Sequence, residues 1–324
     1  MQELKNRLNK INHLKNDLDA IIVINDEKDT DYFYFTNSEA QGVFVYDFSK
    51  PHIFTNRMEF DRSKSSWVKN IEIKRFDDVI SAWKGKTIGI NFSKINTKTY
   101  IKLSKNFKLV DISDAFEKAR YIKTQYEIKC IQKACEISKK SFKKTDIGSD
   151  RTEIHIAADI EREMKIHGCR PAFDTIVASG KNIQIPHHEP ISTKAKRPLL
   201  IDFGARYNGY CADISRTIGS RLENIILKCI DKVEENLFLG AKASKLDEIS
   251  RNALGKYNKF FITSLGHGIG LDVHEKPFIS SKSSDVLKNG MIFTIEPGIY
   301  IKNGIRIEND YLITKNGFKK FTKF

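Results

Sequence analysis

No stretch of this sequence approaches the roughly 18–20 consecutive apolar residues that a membrane-spanning helix needs. The N-terminus, M-Q-E-L-K-N-R-L-N-K, lacks the apolar segment of a signal peptide and reads as the start of an amphipathic helix. These two absences set a membrane aside and place the expected site of action in the cytoplasm. Disulfide and zinc-ribbon signatures are missing as well. The five cysteines, Cys130, Cys135, Cys169, Cys211 and Cys229, are odd in number and form no C-x-x-C. Reduced, mostly buried thiols are expected. No zinc finger, RNP-like aromatic signature or basic tail accompanies the net charge of +14, from 55 Lys+Arg against 41 Asp+Glu. The lysines are spread along the chain, so a solvated Lys-rich surface is expected and nucleic acid is not.

What is present is enough for two domains. The 324 residues are 40% hydrophobic and 30% charged, a globular profile. Residues 2–17 carry Leu4, Leu8, Ile11 and Leu14 on one helical stripe. Strands are expected at Ala20–Ile24, Gly42–Tyr46, His52–Thr55, Ile71–Arg75, Thr87–Asn91 and Lys108–Ile112, with helices at Phe76–Lys84 and Lys94–Lys105. That alternation predicts an α/β domain over residues 1–112. It contains no phosphate-binding glycine loop, metal-ligand cluster or nucleophile motif. Its expected roles are oligomer contact or one wall of a substrate site. From Ser113 the chain turns to charged helices at 113–121 and 124–144, the latter opened by a Thr124/Glu127 capping box. Further helices are expected at 151–167, 221–238 and 244–256. Two helix pairs and two carboxylate-bearing hairpins suggest that residues 113–324 consist of two similar halves.

The chemistry sits in those hairpins. Asp202 lies in the apolar run Leu199-Leu200-Ile201-Asp202-Phe203, and Asp213 follows eleven residues later across an Asn208-Gly209 turn signal. A turn centred between Tyr207 and Asn208 makes the two aspartates direct cross-strand partners. Their Cβ atoms would then be about 4.5–5.5 Å apart. Two carboxylates so close require a shared proton or a bound cation. The second hairpin repeats the arrangement around Asn303-Gly304, with Glu296 in F-T-I-E-P-G-I-Y and Glu308 in I-R-I-E-N-D-Y. An extended pairing brings those two to one face, in a register the sequence leaves open. His267, between glycines, supplies a nitrogen. Two Asp, two Glu and one His suit a pair of divalent metal ions, and an oxygen-rich set with one imidazole favours Mn²⁺, Co²⁺, Fe²⁺ or Zn²⁺.

The sequence here resembles the pita-bread-fold metallopeptidases: methionine aminopeptidase, prolidase (Xaa-Pro dipeptidase) and aminopeptidase P. The matching motifs are F-D-T-I-V-A-S-G-K-N-x-x-x-P-H-H, I-D-F-G-A-x-x-x-G-Y-x-A-D-I-S-R-T, G-H-G-I-G-L-D-V-H-E, T-I-E-P-G-I-Y and R-I-E-N-D, in order across residues 113–324. D-A-I-I-V-I-N followed by Y-F-Y-F-T-N looks like a creatinase-type N-terminal domain. The resemblance implies an α/β creatinase-like domain followed by an α+β pita-bread domain with pseudo-two-fold halves. It implies that Asp202 binds one metal, that His267 and Glu296 bind the other, and that Asp213 and Glu308 bridge them, with Mn²⁺ or Co²⁺ foremost. A hydroxide bridging the two ions would attack an Xaa-Pro peptide bond, with Glu296 carrying the proton to the leaving nitrogen. His187 and His274 would hydrogen-bond the scissile carbonyl or its oxyanion. Arg306 would orient the site, and His188 is a candidate at the substrate rim. The resemblance also implies a peptide substrate and a homodimer.

Several positions depart from the family pattern. Cys211-Ala212 precede Asp213, F-F-I-T-S-L precedes the G-H-G, and Phe278 stands where some prolidases carry an arginine for the dipeptide's terminal carboxylate. Lys276 is the nearby substitute. Dipeptidase and aminopeptidase P-like action therefore both stay open. The competing readings are a methionine-type or broader aminopeptidase, a creatinase-like hydrolase without metal, and a non-catalytic nucleic-acid-binding relative.

Overall fold

The computed structural model describes residues 2–148 and 150–323. The chain divides into two compact units, 1–120 and 121–324. The helix Ser113–Tyr121, expected within the domain 113–324, lies almost wholly in the first unit.

The first unit is built on a six-stranded mixed sheet. Its strands are β1 (Ala20–Asn25), β2 (Gly42–Tyr46), β3 (Pro51–Thr55), β4 (Lys69–Glu72), β5 (Thr87–Ile90) and β6 (Lys108–Asp111), in the spatial order β4-β3-β2-β1-β5-β6. The first three meander antiparallel, while β5 and β6 join β1 in parallel. Both faces of the sheet are covered. Ala20, Ile22, Val43, Val45, Ile88 and Ile90 fill one core. On the other face Phe44 stacks on Phe35, which in turn packs on Phe116. β4 starts two residues and ends three residues earlier than the sequence pattern suggests. The expected helix over 2–17 is interrupted, as an α-helix at Gln2–Asn9 and a 3₁₀ turn at Asn12–Asn16. An unexpected helix spans Thr30–Thr36. Its T-D-Y-F-Y-F-T sequence favours strand by propensity, but Asp29 accepts hydrogen bonds from the N–H groups of Asp31 and Tyr32, both at 2.8 Å. Burial of Tyr32, Tyr34 and Phe35 does the rest.

The second unit contains two helix-and-hairpin halves. In the first, helices Gln125–Lys144 and Glu153–Ile166 pack on a sheet of Ile176–Ser179, Leu199–Phe203 and Ile214–Ile218. Ile137, Ile156, Ile160, Val177, Ile201 and Phe203 form its core. In the second, helices Glu223–Glu234 and Ala243–Leu254 pack on a five-stranded sheet that includes Gly266–Gly268, Ile292–Ile295 and Asn309–Thr314. Its core includes Cys229, Leu246, Phe293 and Tyr311. The long helix starts at the expected capping box: Thr124 accepts from Glu127 N–H at 3.3 Å, and Glu127 accepts from Thr124 N–H at 2.8 Å. All five cysteines are buried, and none forms a disulfide. Among the described residues, no helix is long and apolar enough to cross a membrane.

Candidate metal centre

The register of the first hairpin is set by its turn. Asn208 (φ 48°) and Gly209 (φ 84°) both occupy the left-handed region, as the central pair of a two-residue type I′ turn must. Tyr207 therefore faces Tyr210, Phe203 faces Ile214, and Asp202 faces Ser215. This corrects the expected direct pairing of Asp202 with Asp213. Centring the turn one residue earlier would put Tyr207 at a positive φ that a bulky side chain resists. The two aspartates instead stand diagonally on the same face, because Asp213 is two residues from Ser215. Gly204 lets the strands close beside Asp213: a Cβ there would lie 1.8 Å from the Ala212 carbonyl oxygen.

In the second hairpin Ile295 faces Asn309 and Gly298 faces Arg306. The same register on either side sets Glu296 opposite Glu308, with no bulge. Neither N–H of that pair bonds across the hairpin. Glu308 N–H donates to Ser215 O at 3.0 Å, and Glu296 N–H donates to Leu265 O at 2.8 Å. The two hairpins are thus stitched edge to edge. Thr217 Oγ1 adds two bonds, donating to Arg306 O at 2.9 Å and accepting from Arg306 N–H at 3.0 Å. His267 enters from the adjoining strand. Its flanking glycines allow contact that no other residue permits: a Cβ on Gly266 would sit 2.0 Å from Thr294 O, and one on Gly268 would sit 2.3 Å from Lys276 O.

The result is a buried cluster of acids around one imidazole. His267 Nε2 lies 3.4 Å from Glu296 Oε1, 3.7 Å from Asp213 Oδ2 and 3.9 Å from Glu308 Oε1. Burial, and then the neighbouring His274, hold His267 down to about 3, so the ring is neutral. Its Nδ1–H donates to Gly268 O at 3.2 Å, which assigns the lone pair to Nε2, the nitrogen among the carboxylates. Ligand atoms of Asp213, His267 and Glu308 all lie within 4.8 Å of one another. Asp202 is held by Arg306, Nη2 to Oδ2 at 2.6 Å. Burial pushes Glu296 up to about 8. Burial and the surrounding acids drive Asp213 and Glu308 upward too: chiefly Glu308 acting on Asp213, and Glu296 acting on Glu308. Asp202 Oδ1 and Asp213 Oδ1 are buried without a hydrogen-bond partner among the described residues. An arrangement this repulsive, with orphaned oxygens and a lone pair aimed between them, fits divalent cations.

Arg306, 3% exposed, is committed to protein acceptors. Besides Asp202 it donates to Ser215 Oγ (2.7 Å), Pro186 O (3.2 Å) and Tyr300 Oη (3.2 Å). Ser215 Oγ passes its own hydrogen to Glu308 Oε2 at 2.8 Å. His187 and His274 are exposed. The His274 ring meets His267 edge-on, with centroids 4.2 Å apart, and its pKa is lowered by partial burial and then by His187. His188 was expected at the substrate rim; instead it is 8% exposed and bonded to Glu153 Oε2 at 2.9 Å. Glu153 also accepts from Ser179, Asn182 and Ile191, so it shapes the loop that presents His187. Three contributors were not singled out from sequence: Ser215, Asp310 and Glu153. The first two were within reach, since i, i+2 spacing puts Ser215 on the face of Asp213 and Asp310 on that of Glu308. Glu153, at a helix start, carries no such pattern.

Four inward carboxylates, a neutral histidine and a guanidinium across two pseudo-symmetric hairpins are the makings of a cation-dependent hydrolase. The chain belongs to metallopeptidase family M24, which matches residues 129–315; residues 7–122 match the creatinase/prolidase N-terminal domain. The Xaa-Pro dipeptidase of Pyrococcus furiosus is 36% identical over 347 residues, covering 99% of this chain and 98% of that protein. The prolidase of Pyrococcus horikoshii superposes with a TM-score of 0.90 at 34% identity, over 100% of this chain and 98% of its own. The X-Pro aminopeptidase of Thermotoga maritima gives a TM-score of 0.88 at 29% identity, over 95% and 96%. The two-domain architecture and the pita-bread fold expected from the sequence are those of this chain.

Proposed function

We propose that this metallopeptidase cleaves Xaa-Pro bonds with Asp202, Asp213, His267, Glu296 and Glu308 holding two divalent cations, Mn²⁺ or Co²⁺ by the donor set. The observation that carries the reading is the lone pair of His267 Nε2 facing three carboxylates at 3.4–3.9 Å. When bound, the cations supply Lewis acidity and an acidified water. Glu296, at the more open edge of the cluster, takes a proton from the attacking water and delivers it to the proline nitrogen as the C–N bond breaks. His187 and His274 donate hydrogen bonds to the carbonyl oxygen as it gains charge. Arg306, with Ser215, holds Asp202 and Glu308 in place. The fixed φ of proline gives the pocket a rigid feature to select. The same reading carries a homodimer, which light scattering checks.

A substrate panel of Ala-Pro, Ala-Pro-Ala and Met-Ala-Ser separates the specificities. Cleavage of Ala-Pro alone assigns a dipeptidase, and cleavage of Ala-Pro-Ala an aminopeptidase. Cleavage of Met-Ala-Ser alone removes proline from the reading. Phe278 supports the aminopeptidase arm: it is the cross-strand partner of His267, 42% exposed, and stands in the sequence where some prolidases carry an arginine. Asp213→Ala, which would remove one carboxylate of the cation-holding set, is expected to lower kcat by about a thousandfold or more and to lose tight Mn²⁺ binding; near-wild-type turnover would falsify the assignment.

A further inference from the structure

Asp310 lies beneath the cluster and is bonded across both hairpins. It sits on the second hairpin, 0% exposed, and its Oδ2 accepts the backbone N–H of Asp213 on the first at 3.2 Å. The same oxygen accepts the thiol hydrogen of Cys135, Sγ to Oδ2 at 3.1 Å. Cys135, 1% exposed, belongs to the helix Gln125–Lys144. That helix grips the first hairpin at two further points. Glu127 Oε1 accepts from Tyr210 Oη at 3.0 Å, and Ser138 Oγ accepts from Ala205 N–H at 2.8 Å. The Cys135–Asp310 contact is where it also reaches the second hairpin. Asp310 Oδ1, meanwhile, has no hydrogen-bond partner among the described residues. A buried carboxylate held by two donors, with one oxygen unmet, destabilises the fold relative to an apolar residue. Its placement behind Asp213 supplies a reason for it beyond packing.

We propose that Asp310 and Cys135 are a positioning pair: Asp310 fixes the backbone of Asp213 relative to Glu308, and the Cys135 thiol fixes Asp310. The inference rests on Asp213 and Glu308 being cation ligands. Residues behind ligands set ligand orientation, and their loss commonly weakens metal affinity about 10–100-fold. A merely structural role would lower the melting temperature of the metal-free protein and leave the affinity alone.

Mn²⁺ titration calorimetry on the full chain, paired with metal-free melting curves, reads the two apart. Cys135→Ala and Asp310→Ala are expected to raise the Mn²⁺ Kd about tenfold or more. Cys135→Ser, which keeps a donor, is expected to stay within about threefold of wild type. If Cys135→Ala does not fold, Cys135→Val, which fills similar volume without a donor, takes its place. A donorless variant at 135 with a Kd within about twofold of wild type overturns the pair, whatever its melting temperature. Wild-type protein that takes up neither Mn²⁺ nor Co²⁺ overturns the underlying reading and the pair with it. Wild-type uptake with unchanged variants overturns the pair alone.

Discussion

At Glu296, Asp213 and Glu308, burial and neighbouring acids act in the same direction, and each holds its proton longer in the folded chain than in the unfolded one. Glu296 is raised from 4.5 to about 8 and Asp310 from 3.8 to about 7. A raised acid contributes stability that is complete below its unfolded pKa and lost as pH climbs through the folded one. His267, lowered from 6.5 to about 3, acts only below pH 6.5. Between pH 6.5 and 8, then, the metal-free protein should lose stability steadily. Mn²⁺ held as proposed would displace those protons, so its affinity and the melting-temperature gain it confers should grow over the same window. Melting curves with and without Mn²⁺ check this; a metal-free midpoint that is flat or rising from pH 6.5 to 8 would sink the electrostatic account. At this scale the sequence singled out the acids and the histidine that cluster in the structure. It was silent about Arg306 being held by four acceptors and His188 being spent on Glu153, since all of these partners but Tyr300 are remote in the chain.

The hairpins were legible as elements because apolar strands bracket an Asn-Gly pair in each. Register was another matter. A shift of one residue in the turn centre moves every cross-strand partner by two, which kept the faces right while replacing Asp213 by Ser215 opposite Asp202. The helix Thr30–Thr36 was not legible, because its aromatic content points to strand and only capping and burial reverse that. Close backbone approach is the other property that lives on elements. Gly266→Ala would place a methyl 2.0 Å from Thr294 O, in the strand pair that carries His267. It is expected to destabilise the second unit by about 3 kcal/mol or more. Urea unfolding monitored in that unit measures it, and a loss under about 1 kcal/mol would show that the strands give way without strain.

Across the whole molecule, each unit has its own apolar core, and all five proposed ligands lie in the second. Calorimetry is expected to resolve two transitions, with Mn²⁺ moving only the one that belongs to residues 121–324. One transition that shifts as a whole would contradict this. The net charge of +14 comes from lysines dispersed through the sequence, which fits a solvated surface.

By itself the sequence determined the class of chemistry: four acids in apolar strands and a histidine between glycines are too unfavourable to bury without a cation. It determined the two-part architecture as well, since periodicity and turn signals are local. Only the tertiary structure decided which side chains share an oxygen or a proton. Asp310 behind Asp213, Cys135 behind Asp310 and Ser215 between Arg306 and Glu308 join residues 91 to 175 positions apart. Such contacts are selected by packing geometry rather than by any local pattern. The pair Asp202 and Asp213 thus stands as a diagonal, with its spacing set by Asn208-Gly209 and its chemistry by the other hairpin.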